Sequence, residues 1–462
     1  MPNQPQHDRT PNASSNAPRL ARALIARSPV FYGWFILGCV CAAGFARQGP
    51  AVSTLSIFIS PMGDELGWSR TAISGAVSLG GVLAALTSPM LGTLLDRHGA
   101  RVMLVSAVLA TGVCVAALAG VETLVAFYLL YCISRLCFAG PFDLGIYGAI
   151  NAWFVVRRPI ATAVATVFQM AGLTAMPLIA TAAMLWAGDG TVDWRSGWLA
   201  VGLTVIVVGL MPNLLLMVRR PEDVGLTPDG PPAGRTARNA TAPAQTSGAD
   251  AAVRSAPPPP LAEPAFTRAE ALRTPAFWLL SLFTFLIFPV QAGTSLHQAP
   301  HLIERGLDPA TAATVVATFS AVSALAGLVY GSVVRATSMR LTLVSIGICL
   351  GASSLLMISI SSLAHAYAAA ALFGFGIGGM LTMLPIAWAD YFGRRSFGAI
   401  RGVALTIQVV AQAIGPLLSG ALRDLTGDYT VSLTVLGSLG LTAAGVAVFA
   451  APPRAPSSNA PQ

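Results

Sequence analysis

Two arginines and one aspartate interrupt stretches of the sequence that are otherwise apolar. Arg135 lies in the run Leu129–Cys137, Arg47 lies in an earlier apolar run, and Asp143 follows Arg135 by eight residues. An ionised arginine at the centre of a membrane-spanning helix costs on the order of 3 kcal/mol, so it needs a partner, a watery cavity or a function. A planar guanidinium group can donate to both oxygens of one carboxylate. Arg135 and Arg47 are therefore candidates for binding an organic anion.

The same residues could instead be structural. Each arginine could cap backbone carbonyl groups or pair with Asp143. Eight residues of straight helix rise about 12 Å, so a direct pair between Arg135 and Asp143 needs the kink that Gly140-Pro141 can introduce. Asp143 could take up a proton if its carboxyl group is removed from water. It could equally be a structural acid bonded to Tyr147 or to a neighbouring helix, and the sequence leaves these alternatives open.

A second polar group lies in an apolar segment that two prolines interrupt. Gln291, His297 and His301 share this segment with Pro289 and Pro300. Broken helices line cavities, because their free backbone groups need partners other than lipid. The two histidines are candidates for ligand or proton handling or for an external gate, and no metal is expected because no Glu follows the first His. The candidate substrate-binding residues are Arg135, Arg47, Tyr147, Gln291, His297 and Gln408, and the candidate proton-coupling residues are Asp143, His297 and His301.

The composition indicates that these residues lie in membrane-spanning helices. Of the 462 residues, 55% are hydrophobic and 10% are charged, and the mean hydropathy is +0.69, whereas soluble domains are about 25% charged. The net charge of +8 does not indicate a nucleic-acid partner, because the cations lie in short clusters between apolar runs. A span needs about 20 mostly apolar residues. The candidates are 31–60, 70–92, 101–120, 124–152, 159–187, 197–218, 275–303, 309–334, 340–361, 365–391, 401–422 and 430–451.

The loops predict the domain organisation and the orientation in the membrane. We expect a tail at 1–27, a six-helix half at 28–218, a disordered linker at 219–273, a second six-helix half at 274–451 and a tail at 452–462. Arginines cluster on the side of the linker and both tails, so the positive-inside rule places that side in the cytoplasm of a cell membrane. This set comprises Arg97, Arg101, Arg157, Arg158, Arg335, Arg340, Arg394, Arg395 and Arg401 with the linker arginines, against Arg70, Arg195, Arg305 and Arg423 opposite.

The two halves repeat each other. The matching segments are 28–32 with 274–278, 92–105 with 331–344, and 153–158 with 391–395. Three matches in the same order at a nearly constant offset predict a parallel repeat with a pseudo-twofold axis along the membrane normal. A solute site would then lie between the halves.

The loop from Gly92 to Arg101, with Asp96, Arg97 and Gly99 between them, resembles the signature of the major facilitator superfamily. The resemblance implies twelve all-α transmembrane helices in two parallel six-helix repeats. Gly92 would allow close helix approach, Gly99 a tight turn, and Asp96 with the arginines a charge cluster that joins the halves. The second copy departs from the pattern at Arg335, Ala336 and Ser338, so the gate is expected to be asymmetric. The candidate gate residues are Gly92, Asp96, Arg97, Gly99, Arg101, Arg157, Arg158, Arg394 and Arg395.

Three further segments resemble monocarboxylate transporters and the oxalate/formate antiporters, namely 153–161, 67–70 and 402–429. The resemblance implies a secondary active transporter of a small organic anion, working by alternating access with proton symport or anion exchange. Pro50 is followed by Ala51 where the animal carriers have Lys, and Gln408 and Gln412 stand where an oxalate carrier would show Lys. The identity of the substrate therefore cannot be inferred from either family.

Other functions are weaker candidates. An efflux carrier of a neutral drug or metabolite is the main alternative, and a non-transporting membrane sensor is a remoter one. An enzyme is not expected, because the sequence shows no catalytic constellation and no nucleotide-binding loop. The expected partners are a small carboxylate, protons and the lipid bilayer, with the protein as a monomer and without a cofactor.

Overall fold

A computed structural model describes residues 18–28, 30–186, 193–229, 264–333 and 337–454, and helices dominate these ranges. Long apolar segments form helices because a helix satisfies every backbone polar group within itself, which lipid requires. The helices are α1 Arg19–Arg27, α2 Gly33–Ala46, α3 Val52–Leu66, α4 Arg70–Ala117, α5 Leu124–Ala139, α6 Pro141–Trp153, α7 Arg158–Met184, α8 Trp194–Leu215, α9 Arg268–Leu272, α10 Pro275–Glu304, α11 Pro309–Val333, α12 Met339–Ile358, α13 Leu363–Phe392, α14 Phe397–Thr426 and α15 Thr430–Phe449.

Ten described helical stretches are long and apolar enough to cross a membrane, which agrees with twelve spans. Helix α4 is one of the ten but comprises two of the twelve spans, because Gly99 interrupts it with a φ of 81°. That left-handed φ is what glycine allows without steric cost, and it confirms the predicted turn. The first span consists of α2 and the apolar part of α3, to about residue 60, and the fourth of α5 and α6. Both of these spans are therefore broken helices.

The bundle has two halves, α2–α8 and α10–α15. Within the first half α4 packs on α5, α6 and α8, and within the second α12 packs on α13 and α15. Within the described residues, the main packing between the halves is that of α4 with α14, α7 with α11, α7 with α13, and α6 with α14. The repeat relates α4 to α11 and α7 to α14. The contacts α4–α14 and α7–α11 are therefore equivalent, as a parallel repeat requires.

Glycine 92 confirms the expected close approach. A Cβ atom on Gly92 would collide with the backbone of Gly398 and Gly402. Its repeat counterpart Gly331 has the same environment, because a Cβ atom there would meet Pro159 and Ala163. A shift of 239 residues relates the three positions of one contact to the three of the other, Gly92 to Gly331, Pro159 to Gly398 and Ala163 to Gly402.

Parts of the predicted linker and tail are ordered, which differs from the sequence-based expectation. Residues 219–229 contain the short 3-10 turn Pro221–Val224, and helix α9 begins at Thr267 with a capping box to Glu270. Helix α1 lies in the predicted N-terminal tail. Residues 230–263, with the four consecutive prolines and Asn239, lie outside the described residues, as do Arg335 and Ala336 of the second signature copy.

Different charged residues lie at the two ends of the bundle. The linker side is the end at which Asp96, Arg158 and Arg394 lie, next to residues 219–229. The opposite side is the end at which Glu65 and Arg423 lie.

Candidate functional site

Asp143 is the centre of a buried charge cluster between the halves. One carboxylate oxygen lies 3.1 Å from Nη2 of Arg401, and the other lies 3.7 Å from Nη1 of Arg47. The side chains of Asp143 and Arg401 are 5% and 2% exposed, so this ion pair is almost completely removed from water. Breaking a buried pair by removing one partner typically costs 3–5 kcal/mol, because the other charge remains without compensation.

Two helix breaks place the first-half members of this cluster. Asp143 lies in the first turn of α6, because the fourth span ends one helix at Gly140 and begins the next at Pro141. Arg47 follows the last residue of α2, in the interruption of the first span. Irregular backbone at membrane depth occurs where it lines a cavity or is buried in protein. The breaks therefore bring a cation and an acid from separate spans to one point.

Arg135 belongs to the same cluster but does not pair with Asp143. The guanidinium carbons of Arg135 and Arg47 lie 4.4 and 4.5 Å from the ring centroid of Phe138. Nε and Nη1 of Arg135 are buried and have no hydrogen-bond partner among the described residues. The structural alternative in which Arg135 braces Asp143 is therefore wrong, since the kink at Gly140 leaves Asp143 to other arginines. Arg135 can still donate to an added acceptor.

Amide side chains accept from the other two arginines, but Nε of Arg47 and both Nε and Nη1 of Arg401 are buried without a partner among the described residues. Gln169 on α7 accepts from Nη1 of Arg47 at 3.2 Å, and Gln408 on α14 accepts from Nη2 of Arg401 at 2.8 Å. Gln408 was a candidate from sequence and does join the cluster. Tyr147, another candidate, donates to the carbonyl of Leu381 at 3.4 Å. Tyr147 thus links α6 to α13 and forms no described hydrogen bond to Asp143.

The polar residues of α10 do not reach this cluster by any contact that the structure describes. His297 lies 3.1 Å from the Tyr429 hydroxyl and 3.2 Å from the Pro416 carbonyl, and His301 lies 2.8 Å from the Met357 carbonyl. Gln291 accepts from Gln412 at 3.4 Å. These bonds tie α10 to neighbouring helices of its own half. Among the described residues no three His, Cys, Asp or Glu side chains could together hold a metal ion.

Asp96 joins the halves in a way that the sequence did not reveal. Its two carboxylate oxygens accept from the backbone N–H groups of Gly398 and Ala399, at 2.9 and 2.8 Å. These N–H groups belong to the first turn of α14, where backbone donors are free and the helix dipole favours an anion. Asp96 therefore caps a helix of the other half. Arg219 donates to its backbone carbonyl at 2.9 Å, and Arg219 and Arg220 act electrostatically on its carboxylate.

The predicted gate arginines have different roles. Two of them bridge the halves: Arg158 pairs with Asp390 at 2.5 Å, and Arg394 donates to the Ala152 carbonyl at 3.2 Å. Arg101 donates to the Leu214 carbonyl within the first half. The remaining gate arginines are Arg157, which lies over the Trp34 ring, and the exposed Arg97 and Arg395.

Three contributors were missed from the sequence, namely Arg401, Gln169 and Phe138. Arg401 was counted among the loop cations of the linker side, but α14 begins at Phe397 and buries Arg401. A signal was available, because Arg401 and Gln408 are seven residues apart and therefore share one helix face. Nothing in the sequence marks Gln169 or Phe138 as neighbours of an arginine.

The fold and this cluster define a membrane transporter of the major facilitator class. The sequence profile of the Major Facilitator Superfamily matches residues 36–416, and the chain belongs to that family. It is 27% identical over 445 residues to human Monocarboxylate transporter 11, covering 92% of this chain and 83% of the relative.

Two solved structures share the fold. The transporter FucP, solved in the outward conformation, has a TM-score of 0.65 at 11% identity, covering 91% of this chain and all of FucP. FucP is a fucose:proton symporter of E. coli. The human organic anion transporter MFSD10 (TETRAN) has a TM-score of 0.62 at 17% identity, covering 93% of this chain and all of MFSD10.

Proposed function

We propose that this transporter carries a small organic anion, a carboxylate, by alternating access. One observation carries the proposal: two buried guanidinium groups, those of Arg47 and Arg401, pair with the single carboxylate of Asp143, and a third, that of Arg135, lies with Arg47 against the Phe138 ring without an ion pair among the described residues. The cluster keeps an excess of buried positive charge, and buried charges need counter-charges. An anionic substrate provides that counter-charge in the interface between the halves.

Arg135 is the principal substrate-binding residue in this proposal. Arg135 forms no described ion pair, whereas Arg47 and Arg401 each pair with Asp143 and donate to an amide. All three arginines keep buried N–H groups without a described partner, and those of Arg135 are Nε and Nη1. Phe138, which both first-half arginines approach, provides an apolar surface for a short hydrocarbon chain. The names of two similar proteins, a monocarboxylate transporter and an organic anion transporter, agree with an anionic substrate.

Asp143 couples the substrate to the conformational cycle. Its pair with Arg401 joins α6 of one half to α14 of the other. A proton on Asp143 would release Arg401 for the substrate, which gives proton symport, whereas competition between two substrate anions would give exchange. His297 and His301 bond to residues of their own half and make no described contact with the cluster, which supports Asp143 over either histidine as the coupling residue.

The function is tested with purified protein in liposomes. A thermal-shift screen against carboxylates first identifies a ligand, since a ligand that binds only the folded state raises its stability. Exchange of that ligand is then measured for Arg135→Ala, Arg135→Lys and the exposed control Arg305→Ala. Hydrogen bonds to charged groups contribute about 1.5–3 kcal/mol, so we expect a loss of about 10- to 150-fold in affinity for Arg135→Ala, partial binding for Arg135→Lys and no change in the control.

Each variant is checked for monodispersity in detergent before its transport is interpreted. Unchanged affinity in a well-folded Arg135→Ala protein would remove Arg135 from the site. Transport of only neutral solutes would contradict the anionic substrate.

We also propose that the linker side faces the cytoplasm of a cell membrane. The bias of arginines toward this side supports the orientation. Both termini and the linker would then be cytoplasmic. Reporters fused after Arg220 and after Gln462 should both report a cytoplasmic location, and a signal from the other side for either fusion would overturn the orientation.

A further inference from the structure

A cavity of about 520 Å³ lies on the linker side, between the two halves. Arg219 and Arg220 line it from the end of the first half, and Arg394 and Arg395 line it from the loop between α13 and α14. Its volume falls within the usual range for small-molecule sites, about 300–1,000 Å³. The cavity is separate from the Asp143 cluster, because none of the arginines of that cluster lines it.

The acidic residues of the cavity compensate these arginines only in part, because four arginines line it against three acids and only Asp96 is known to act on Arg219 and Arg220. Asp96, Glu222 and Asp223 also line it. Both oxygens of Asp96 accept from backbone N–H groups of α14, and Glu222 pairs with Arg394 at 3.4 Å. Within the described residues, Arg219, Arg220 and Arg395 therefore form no ion pair, and Nε of Arg219 is buried without a hydrogen-bond partner. The cavity contains cations that can accept a counter-ion.

The first-half wall of the cavity is fixed in place by Asp229. Its carboxylate oxygens accept from the N–H groups of Val155, Val156 and Arg157 at 2.9, 2.6 and 3.0 Å. The backbone N–H of Asp229 donates to the Trp153 carbonyl at 3.1 Å. Asp229 also adopts a φ of 61°, a left-handed conformation that is uncommon outside glycine. These bonds attach residues 219–229 to the loop between α6 and α7.

The geometry points to a binding site for a small phosphate-type anion in this cavity, bridging arginines of the two halves. Guanidinium groups approach from both walls, and a phosphate group offers three oxygens to donors that come from different directions, whereas a carboxylate offers one edge. The walls meet only while the linker side is closed. The anion therefore binds that conformation in preference to the other and shifts the population toward it. The source of the phosphate group is either a soluble anion or a lipid headgroup.

The test uses the purified full-length chain in detergent and measures Tm during titration with sodium pyrophosphate at constant ionic strength. A second titration uses phosphatidic acid, with phosphatidylcholine as its control lipid. Arg220→Gln/Arg395→Gln removes one exposed arginine from each wall, and Arg305→Gln/Arg454→Gln removes two exposed arginines elsewhere. We expect a saturable rise in Tm for the wild type and the control variant, and loss of that rise in the cavity variant.

The two titrations distinguish the sources. A rise with pyrophosphate assigns the site to a soluble anion, and a rise with phosphatidic acid alone assigns it to a headgroup. No rise with either compound overturns the proposal, as does a rise that is equal in the wild type and the cavity variant. If the cavity double variant is not monodisperse, the two single variants replace it. An undiminished rise in Tm in both single variants also overturns the proposal. The carboxylate found for the Asp143 cluster should still stabilise the cavity variant, so failure here is distinguishable from failure of the proposed transport function.

Discussion

The linker side and the opposite side of the bundle use their charged residues differently. On the linker side, the contacts of Asp96, Arg158 and Arg394 join one half to the other. On the opposite side, the described ion pairs Glu65–Arg195 and Glu304–Arg423 each join residues of the same half. A pair within one half moves with that half and does not resist separation of the two. The difference identifies this conformation as closed on the linker side, the side that we propose to be cytoplasmic.

The two sides also differ in the solvent exposure of their pairs. In the linker-side pair Arg158 is 3% exposed and its partner Asp390 is 45% exposed, whereas all four side chains of the opposite-side pairs are between 35% and 47% exposed. Exposed pairs contribute about 0–1 kcal/mol because water and salt screen them. The energy that selects this conformation therefore resides mainly in backbone packing and buried bonds on the linker side. Three substitutions test this comparison.

The largest effect is expected for Gly92→Val, which should prevent closure of the linker side. The added side chain would collide with the backbone of Gly398 and Gly402. Overpacking costs about 1–3 kcal/mol, which corresponds to a shift of about 5- to 150-fold in the conformational equilibrium. Transport should fall, and hydrogen–deuterium exchange should accelerate in the first turn of α14. Gly81→Val in the same helix is the control, since no atom lies within 4 Å of a Cβ atom there. Equal loss of transport in both variants would contradict the closure role of Gly92.

A smaller effect is expected for Asp96→Asn. The amide keeps one acceptor oxygen but loses the negative charge that faces the N–H groups of Gly398 and Ala399. Loss of an N-terminal cap costs about 0.5–2 kcal/mol, or about 2- to 30-fold in the equilibrium between closed and open states. Turnover in liposomes should decrease while Tm changes little, and the exposed Asp424→Asn is the control on the opposite side. Normal transport by a normally expressed Asp96→Asn protein would show that this cap does not control the cycle.

The smallest effect is expected for Glu65→Gln, which breaks a pair of the opposite side. Hydrogen bonds from Arg195 and Trp194 hold the pKa of Glu65 below its usual value of 4.5, and Glu65 lies beyond the apolar span at 31–60. A carboxylate whose pKa is lowered by folding stabilises the protein above its unfolded pKa and loses that contribution as the pH falls through the folded pKa. The loss of unfolding free energy relative to wild type should thus be small at neutral pH, under about 1 kcal/mol. The corresponding difference in Tm should vanish in acid. A change in the exchange rates of α14 would contradict the independence of the two sides.

The spans were predictable from sequence because lipid imposes one requirement on every crossing segment, a long apolar helix. The turn at Gly99, the close approach at Gly92 and the break at Gly140-Pro141 were predictable because glycine and proline have local conformational effects. These features depend on a few neighbouring residues. Family membership was also identified from the signature loop, and it is confirmed.

The partners of charged residues were less predictable. Arg401 lies only four residues after the start of α14, so a count of loop charges assigns it to the linker-side surface. Its long side chain instead reaches Asp143, which is 258 positions away in the sequence. Asp96 similarly binds backbone N–H groups, which carry no residue-specific signal. Long-range pairing depends on how the two halves dock, and the sequence pattern of one segment does not contain that information.

The paired glycine contacts have a consequence for the symmetry of the interface. A relation in which one surface patch meets its own counterpart is an isologous interface, the arrangement found in twofold homodimers. Here the contact of Gly92 with Gly398 and Gly402 and that of Gly331 with Pro159 and Ala163 obey this relation within a single chain. The residues at the two positions have diverged, since backbone meets glycine in one contact and proline or alanine in the other. One chain can thus contain a twofold-symmetric interface whose two equivalent contacts are made by different residues, which a homodimer of identical subunits cannot have.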